Sequence, residues 1–262
     1  MPFTLAHAAA ALPLRRRKLI FSALIIGTFA PDLEYFLRLA PDDGYGHTFK
    51  GLFLLTLPLA LIAFWLFHSV VKRPIVGLLP TSVEHRLVTH LDEFSFGGPA
   101  RFGLIVFSIL LGAATHLAWD AFTHKNTWVY RNWAVLREVV QLPVFGPTPL
   151  FKVFQHGSTL FGMAVLLVWV LLWYRESALS TEILSRGLSA AQRIGIVLGG
   201  LILALAGAVF RTVAVRGVSL SDLTGKRAAG LMVVSVIALL WWECVLYGIW
   251  WKKFGLRKEQ AM

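Results

Sequence analysis

The chain has 262 residues, of which 57% are hydrophobic and only 15% charged, with 10 Trp and 19 Phe. That balance excludes an ordinary soluble domain and describes an integral membrane protein. Lys and Arg outnumber the acids 25 to 14, yet they flank apolar runs, so they set membrane topology and speak against a nucleic-acid partner.

The first stretch, MPFTLAHAAAALPLRRRK, puts its basic cluster after the apolar residues, the reverse of a secretory signal peptide. Residues 4–30 read as a helical hairpin: a short helix over 4–12, a turn at PLRRRK, and a second helix over 19–30 that stops at Pro31. The run LIFSALIIGTFA is too short to cross a bilayer comfortably, which takes about 20 helical residues; were it a full span, His7 would lie on the face opposite Asp32. A hairpin there returns Asp32 to the level of His7.

Five later runs are long enough to cross, over about 51–71, 102–121, 157–174, 194–213 and 229–251. The expected class is all-α, a multi-pass transmembrane helical bundle. It forms one membrane domain over 1–262, with a metal-site half at 1–174 and two further helices in 175–262. Between the first two spans, Thr81 and Glu84 fit a capping box opening an amphipathic surface helix. His85 and His90 fall in that solvated stretch, and His68 reads as interfacial. Residues 122–156 are long and aromatic, and their Pro and Gly are expected to break regular structure. Trp128, Tyr130 and Trp133 read either as an interfacial belt or as a lid over a site. Gly195 and Gly199 have GxxxG spacing, followed by Gly200, Ala204 and Ala208, a pattern for close helix packing. The single Cys244 excludes an internal disulfide and sits in an apolar run, where packing is its expected role.

Chemistry gathers in RFGLIVFSILLGAATHLAWDAFTHK. His116, Asp120 and His124 are four apart and form one stripe on a helix. A carboxylate inside an apolar run costs about 2.5–3.5 kcal/mol at mid-helix on insertion scales, so Asp120 needs a compensating cation. Topology supplies companions. Asp32 and His47 leave the membrane on one side, one span carries the chain away, and the next returns His116, Asp120 and His124 to that side. His156, opening the following span, is there too, and the hairpin adds His7. Imidazoles with carboxylates are the usual ligands of catalytic Zn²⁺, and mixed N/O sites also take Mn²⁺ or Fe²⁺. The lack of thiolates excludes a Cys-rich structural zinc site.

The segments MPFTLAH, GTFAPDLEYF, GHTFKG, THLAWDAFTH and QHGST together resemble an uncharacterised bacterial family of multi-pass membrane proteins that begin MPFT before a histidine. That family is similar to membrane-bound metal-dependent hydrolases and, more distantly, to zinc-dependent phospholipase C. The resemblance implies one or two metals held by His7, Asp32, His47, His116, Asp120, His124 and His156. On this reading Asp32 or Asp120 would ligate or bridge at the catalytic centre, with Glu34 as a water-orienting base. The pattern departs at His156, where the acid that phospholipases carry four residues on is replaced by Leu160.

No G-x-S-x-G, H-E-x-x-H or Walker A sequence competes with this reading. Ser158 is expected to cap the N-terminus of the 157–174 helix. The expected function is a membrane-embedded metal-dependent hydrolase acting on a phosphoester or lipid-derived substrate. The alternatives are a transporter or ion pathway, which intramembrane Glu243 would favour, and a structural membrane protein. Of the 25 basic residues, 15 fall opposite the metal face, so the C-terminus is expected in the cytoplasm of a cell-membrane protein and the metal face outside.

Overall fold

The computed structural model describes residues 4–40, 44–91, 93–143, 145–181, 188–219, 222–223 and 225–255. Five helices are long and apolar enough to cross a membrane: Phe49–Val76, Pro99–Asn132, Leu150–Glu176, Ala190–Val215 and Ala228–Phe254. They contain the five expected runs and extend beyond them. The protein is thus an all-α, multi-pass helical bundle. The chain divides into two compact units, Met1–Leu33 with Tyr45–Leu61 and Phe96–Arg175, and Glu34–Gly44 with Ile62–Ser95 and Glu176–Met262.

The first unit begins with the expected hairpin, but its first arm, Thr4–Leu14, is a 3-10 helix. Such a helix has about 3.0 residues per turn, so residues three apart eclipse, and Thr4 and His7 share one edge. The run is held by packing of small side chains, with Ala6, Ala8, Ala9 and Ala11 all buried. A Cβ at Gly162 of the third span would press on the Ala6 carbonyl, 2.8 Å away. The second arm, Phe21–Phe29, lies against the helix Pro99–Thr123 with backbones in contact. A Cβ on Gly27 would collide with the Ile109 carbonyl, and one on Gly112 with the Leu24 carbonyl. Ser108, one turn before Gly112, accepts the Ile20 backbone N–H at 3.1 Å. Overpacking a tight contact costs about 1–3 kcal/mol. Gly112→Ala is therefore expected to lower thermal stability and metal content together. Gly195→Ala, where an added Cβ meets nothing within 4 Å, should change neither.

The stretch 122–156 is more regular than its Pro and Gly content suggests. A short helix, Trp128–Asn132, leads through a 3-10 turn, Ala134–Arg137, into an antiparallel hairpin of Val139–Leu142 with Gly146–Pro149. Gly146 supplies the positive φ (67°) that follows the tip. The following helix starts at Leu150, so Ser158 lies inside it and is no N-cap. Its hydroxyl accepts the Trp119 indole N–H at 3.0 Å and donates to the Gln155 carbonyl.

The second unit pairs the spans Ala190–Val215 and Ala228–Phe254. Ala204 and Ala208 are fully buried, and the Glu243 carboxylate would stand 3.1 Å from a Cβ on Gly200. The stripe Gly200, Ala204, Ala208 thus makes the close contact, whereas Gly195 and Gly199 face open space. Their GxxxG spacing therefore does not mark the packing face within the unit. Nor does Thr81 form the expected capping box. Pro80 precedes the helix Thr81–Leu87, no side chain caps it, and Glu84 is turned fully inward to Arg193. His85 is half-buried and its ring lies 2.5 Å from the Ser180 carbonyl, while His90 is exposed. His68 stacks on Phe94 at 5.1 Å rather than standing alone at an interface.

Candidate metal centre

The stripe on the helix Pro99–Thr123 builds one wall of the site. Its members Ser108, Gly112, His116 and Asp120 are all buried, and His124 forms the C-cap. One turn beyond the Gly112 contact, His116 Nδ1 donates to the Thr28 carbonyl at 2.8 Å. A carbonyl only accepts, so the proton is on Nδ1 and Nε2 keeps its lone pair toward the interior. His7 stacks on that ring, with centroids 4.0 Å apart.

Asp32 enters from the turn Ala30–Asp32, where Pro31 presets the backbone. Thr4 donates to its Oδ2 at 2.6 Å, which leaves Oδ1 facing the imidazoles. His47 enters from the turn Tyr45–His47, folded back on the start of the first span. Two threonines hold that turn: Thr48 donates to the Tyr45 carbonyl and Thr56 to the Gly46 carbonyl. Thr56 ends a π-helical turn, Leu52–Thr56.

These side chains converge. His7 Nε2 is 3.5 Å from Asp120 Oδ1, His116 Nε2 is 3.2 Å from Asp120 Oδ2 and 3.6 Å from Asp32 Oδ1. His47 Nε2 is 3.4 Å from Asp32 Oδ1 and 3.7 Å from Asp120 Oδ2, and His124 Nδ1 is 3.2 Å from Asp120 Oδ1. Good hydrogen bonds between such atoms fall at about 2.7–3.2 Å. Four donors on a tetrahedron, each about 2.0–2.1 Å from a zinc ion, would instead lie about 3.3 Å apart. Four of the six spacings, 3.4–3.7 Å, exceed that hydrogen-bond range and match ligands around a shared ion, while the two at 3.2 Å fit either. His116 Nε2, Asp32 Oδ1, Asp120 Oδ1 and His7 Nδ1 are all buried without a hydrogen-bond partner among the described residues. Buried polar atoms are rarely left so, and three of these, His116 Nε2, Asp32 Oδ1 and Asp120 Oδ1, lie within the cluster and fit a bound cation.

Electrostatics agree. Burial, reinforced by neighbouring His116, pulls the His7 pKa down to about 4, which keeps its imidazole neutral as a ligand must be. Burial alone would raise the Asp32 pKa, but His47, His116 and Thr4 outweigh it and hold the carboxyl below its usual range. Both groups are therefore in the protonation state that binds metal near neutral pH.

Two groups of three donors lie within 4.8 Å of one another, His7 with His116 and Asp120, and Asp32 with His47 and His116. His124 joins at the rim, partly exposed. His156 does not join: it is exposed, and the buried side chain of its turn is the preceding Gln155. A helix turns about 100° per residue, so the two neighbours cannot face the same way. Glu34 is buried in the second unit, where Arg38 one turn later pairs with its carboxylate. Thr4, Thr28 and Thr56 were not singled out from the sequence. Only Thr4 left a signal there, its spacing of three from His7. Removing an outer-sphere partner typically costs about 10–100-fold in metal affinity. Thr4→Val is expected to weaken binding in that range, measured by competition with a chelator, without changing the number of ions bound.

A family model described as Domain of unknown function (DUF4184) matches residues 1–249, and the chain belongs to that family. No curated protein and no solved structure matches it.

Proposed function

We propose that this DUF4184 protein is a membrane-embedded, metal-dependent hydrolase whose centre is held by His7, Asp32, His47, His116 and Asp120, with His124 at its rim. The observation that carries the reading is the convergence of unpartnered, buried imidazole and carboxylate atoms at ligand-like separations. His116 Nε2 belongs to both donor groups, and one lone pair serves one metal, so the two groups describe a single centre. Zn²⁺ is the first candidate, with Mn²⁺ or Fe²⁺ as alternatives; a bound divalent ion would supply Lewis acidity and lower the pKa of a coordinated water.

The chain's own part is positional. Thr4 and the Thr28 carbonyl fix the faces that Asp32 and His116 present. Asp120, next to four imidazoles, is the carboxylate best placed to ligate and to accept a proton from an attacking water. Glu34, paired with Arg38, is a weaker candidate for the water-orienting base. A site at the edge of a bilayer suits a phosphoester or lipid-derived substrate. The transporter alternative rests on Glu243, whose carboxylate lies against Gly200 inside the paired spans.

Elemental analysis of detergent-purified protein comes first, and about one Zn, Mn or Fe per chain is expected. Proteoliposomes carrying phosphate-labelled lipid should then release water-soluble phosphate, and a chelator should stop it. Metal-loaded protein that moves ions but releases no phosphate would favour the transporter.

Orientation is tested separately. Fifteen of the 25 basic residues fall opposite the metal face, among them Arg186, Arg257 and Lys258, which lie outside the described residues. The metal face should be non-cytoplasmic. Reporter fusions at the C-terminus should be active as cytoplasmic fusions and those within 122–156 as external ones; an external C-terminus would reverse the assignment.

A further inference from the structure

The segment that follows His124 has no role in holding the centre, yet it is folded and apolar outward. The short helix Trp128–Asn132 continues the second span, and Leu150 begins the third directly after the hairpin. Both ends of the segment are therefore fixed at the level where helices leave the hydrocarbon. Between them it is tightly held. Arg131 donates twice to the Asn126 carbonyl, Arg137 donates to the Tyr130 and Arg131 carbonyls, and Leu136 is buried.

A well-tied element normally turns its large apolar side chains inward. Here Trp128 is 73% exposed, Trp133 50%, Val139 59% and Phe145 79%. Trp133 meets Phe122 edge-to-face at 5.7 Å, and Phe122 is itself an exposed side chain on the surface of its span. At Trp133 the exposed apolar surface of the segment is thus continuous with an exposed face of the span. Charge points the same way. Residues 125–149 hold three basic side chains, Lys125, Arg131 and Arg137, against the single acid Glu138.

We infer that residues 125–149 form a lip seated in the lipid headgroup layer on the metal side of the membrane. Its Trp and Phe side chains lie at the hydrocarbon boundary, and its basic side chains face lipid phosphates. Aromatic rings with a polar edge, such as Trp, collect at that depth, and basic residues are drawn to an anionic surface there. The inference does not require the metal. On the hydrolase reading it also sets the source of the substrate, because the segment begins directly after His124, so a phosphoester in that leaflet would meet the centre from the headgroup layer.

The test is a depth measurement that needs no activity. Phe145→Cys in a Cys244→Ser background is labelled with an environment-sensitive fluorophore and reconstituted into phosphatidylcholine vesicles, with or without phosphatidylglycerol. The expected result is blue-shifted emission, quenched by lipids bearing a nitroxide at the headgroup or upper chain and protected from aqueous iodide. Phosphatidylglycerol should strengthen the nitroxide quenching at low salt. Water-like emission quenched by iodide would overturn the inference by placing the lip in water. Protection from both quenchers would also overturn it, by showing a protein cover such as a second copy. Val139→Cys, labelled the same way, guards against a local effect at the hairpin tip. The same measurement on Asp120→Asn should be unchanged, which separates failure of the lip from failure of the centre.

Discussion

Asp120→Ala protein is expected to purify with almost no metal, whereas His85→Ala should retain the full amount. Asp120 is the hub of the proposed centre: its two oxygens lie 3.2–3.7 Å from His7, His47, His116 and His124. Its carboxylate is buried inside a membrane span, so without a cation it carries a desolvation cost of about 2.5–3.5 kcal/mol on insertion scales. On the proposed reading a bound metal would offset that cost and in return bind tightly. Removing the carboxylate takes away a ligand and the main negative charge, so the loss of affinity should exceed the roughly 10–100-fold typical of an outer-sphere change. Asp120→Asn keeps the shape while removing the charge, and it should lose metal nearly as completely with thermal stability retained. Plasma-emission metal analysis of the three proteins decides the matter. Equal metal in Asp120→Asn, Asp120→Ala and His85→Ala would remove the ground for a metal centre.

The clustering of these side chains, though not their ligand role, is legible in the sequence because two of its ordering rules are local. The four-residue spacing of His116, Asp120 and His124 needs only the helical repeat, and the return of Asp32 and His47 to that side needs only counting spans. The partners that tune the ligands were not legible, since each depends on a contact across the fold. Thr28 offers a backbone carbonyl to His116, which any residue type could do, and only the glycine contact one turn earlier brings that carbonyl close. Thr4 stands in line with His7 only because Thr4–Leu14 is wound as a 3-10 helix; on an α-helix the two would diverge by about 60°. His156 failed for the complementary reason. Its side of the membrane was inferable, but the helix extends back to Leu150 and turns Gln155 inward in its place. Span parity places a residue at a depth; helix phase decides whether it reaches the site.

The same limit produced the reading of Glu84 as a capping residue, and it leads to the largest stability effect expected outside the centre. Glu84 is fully buried and Arg193 is 8% exposed. Arg193 Nη1 donates to Glu84 Oε2 at 3.0 Å and to the Leu79 carbonyl at 2.6 Å, while Nε reaches the Leu188 carbonyl at 3.4 Å. A buried pair is a poor source of net stability, because desolvating both charges consumes most of their attraction, but removing one partner strands the other. Glu84→Ala should therefore destabilise the second unit by about 3–5 kcal/mol. Replacing both, as Glu84→Leu with Arg193→Met, should restore most of that loss, since apolar groups of similar volume leave no charge behind. Cys244, half-buried in the same unit and the only thiol of the chain, provides the readout. Its labelling by a thiol-reactive dye during heating in detergent should begin at a markedly lower temperature in Glu84→Ala and near the wild-type temperature in the double variant. An unchanged onset in Glu84→Ala would mean that Arg193 finds other acceptors or water, and that the pair does not hold the Thr81–Leu87 helix to its span.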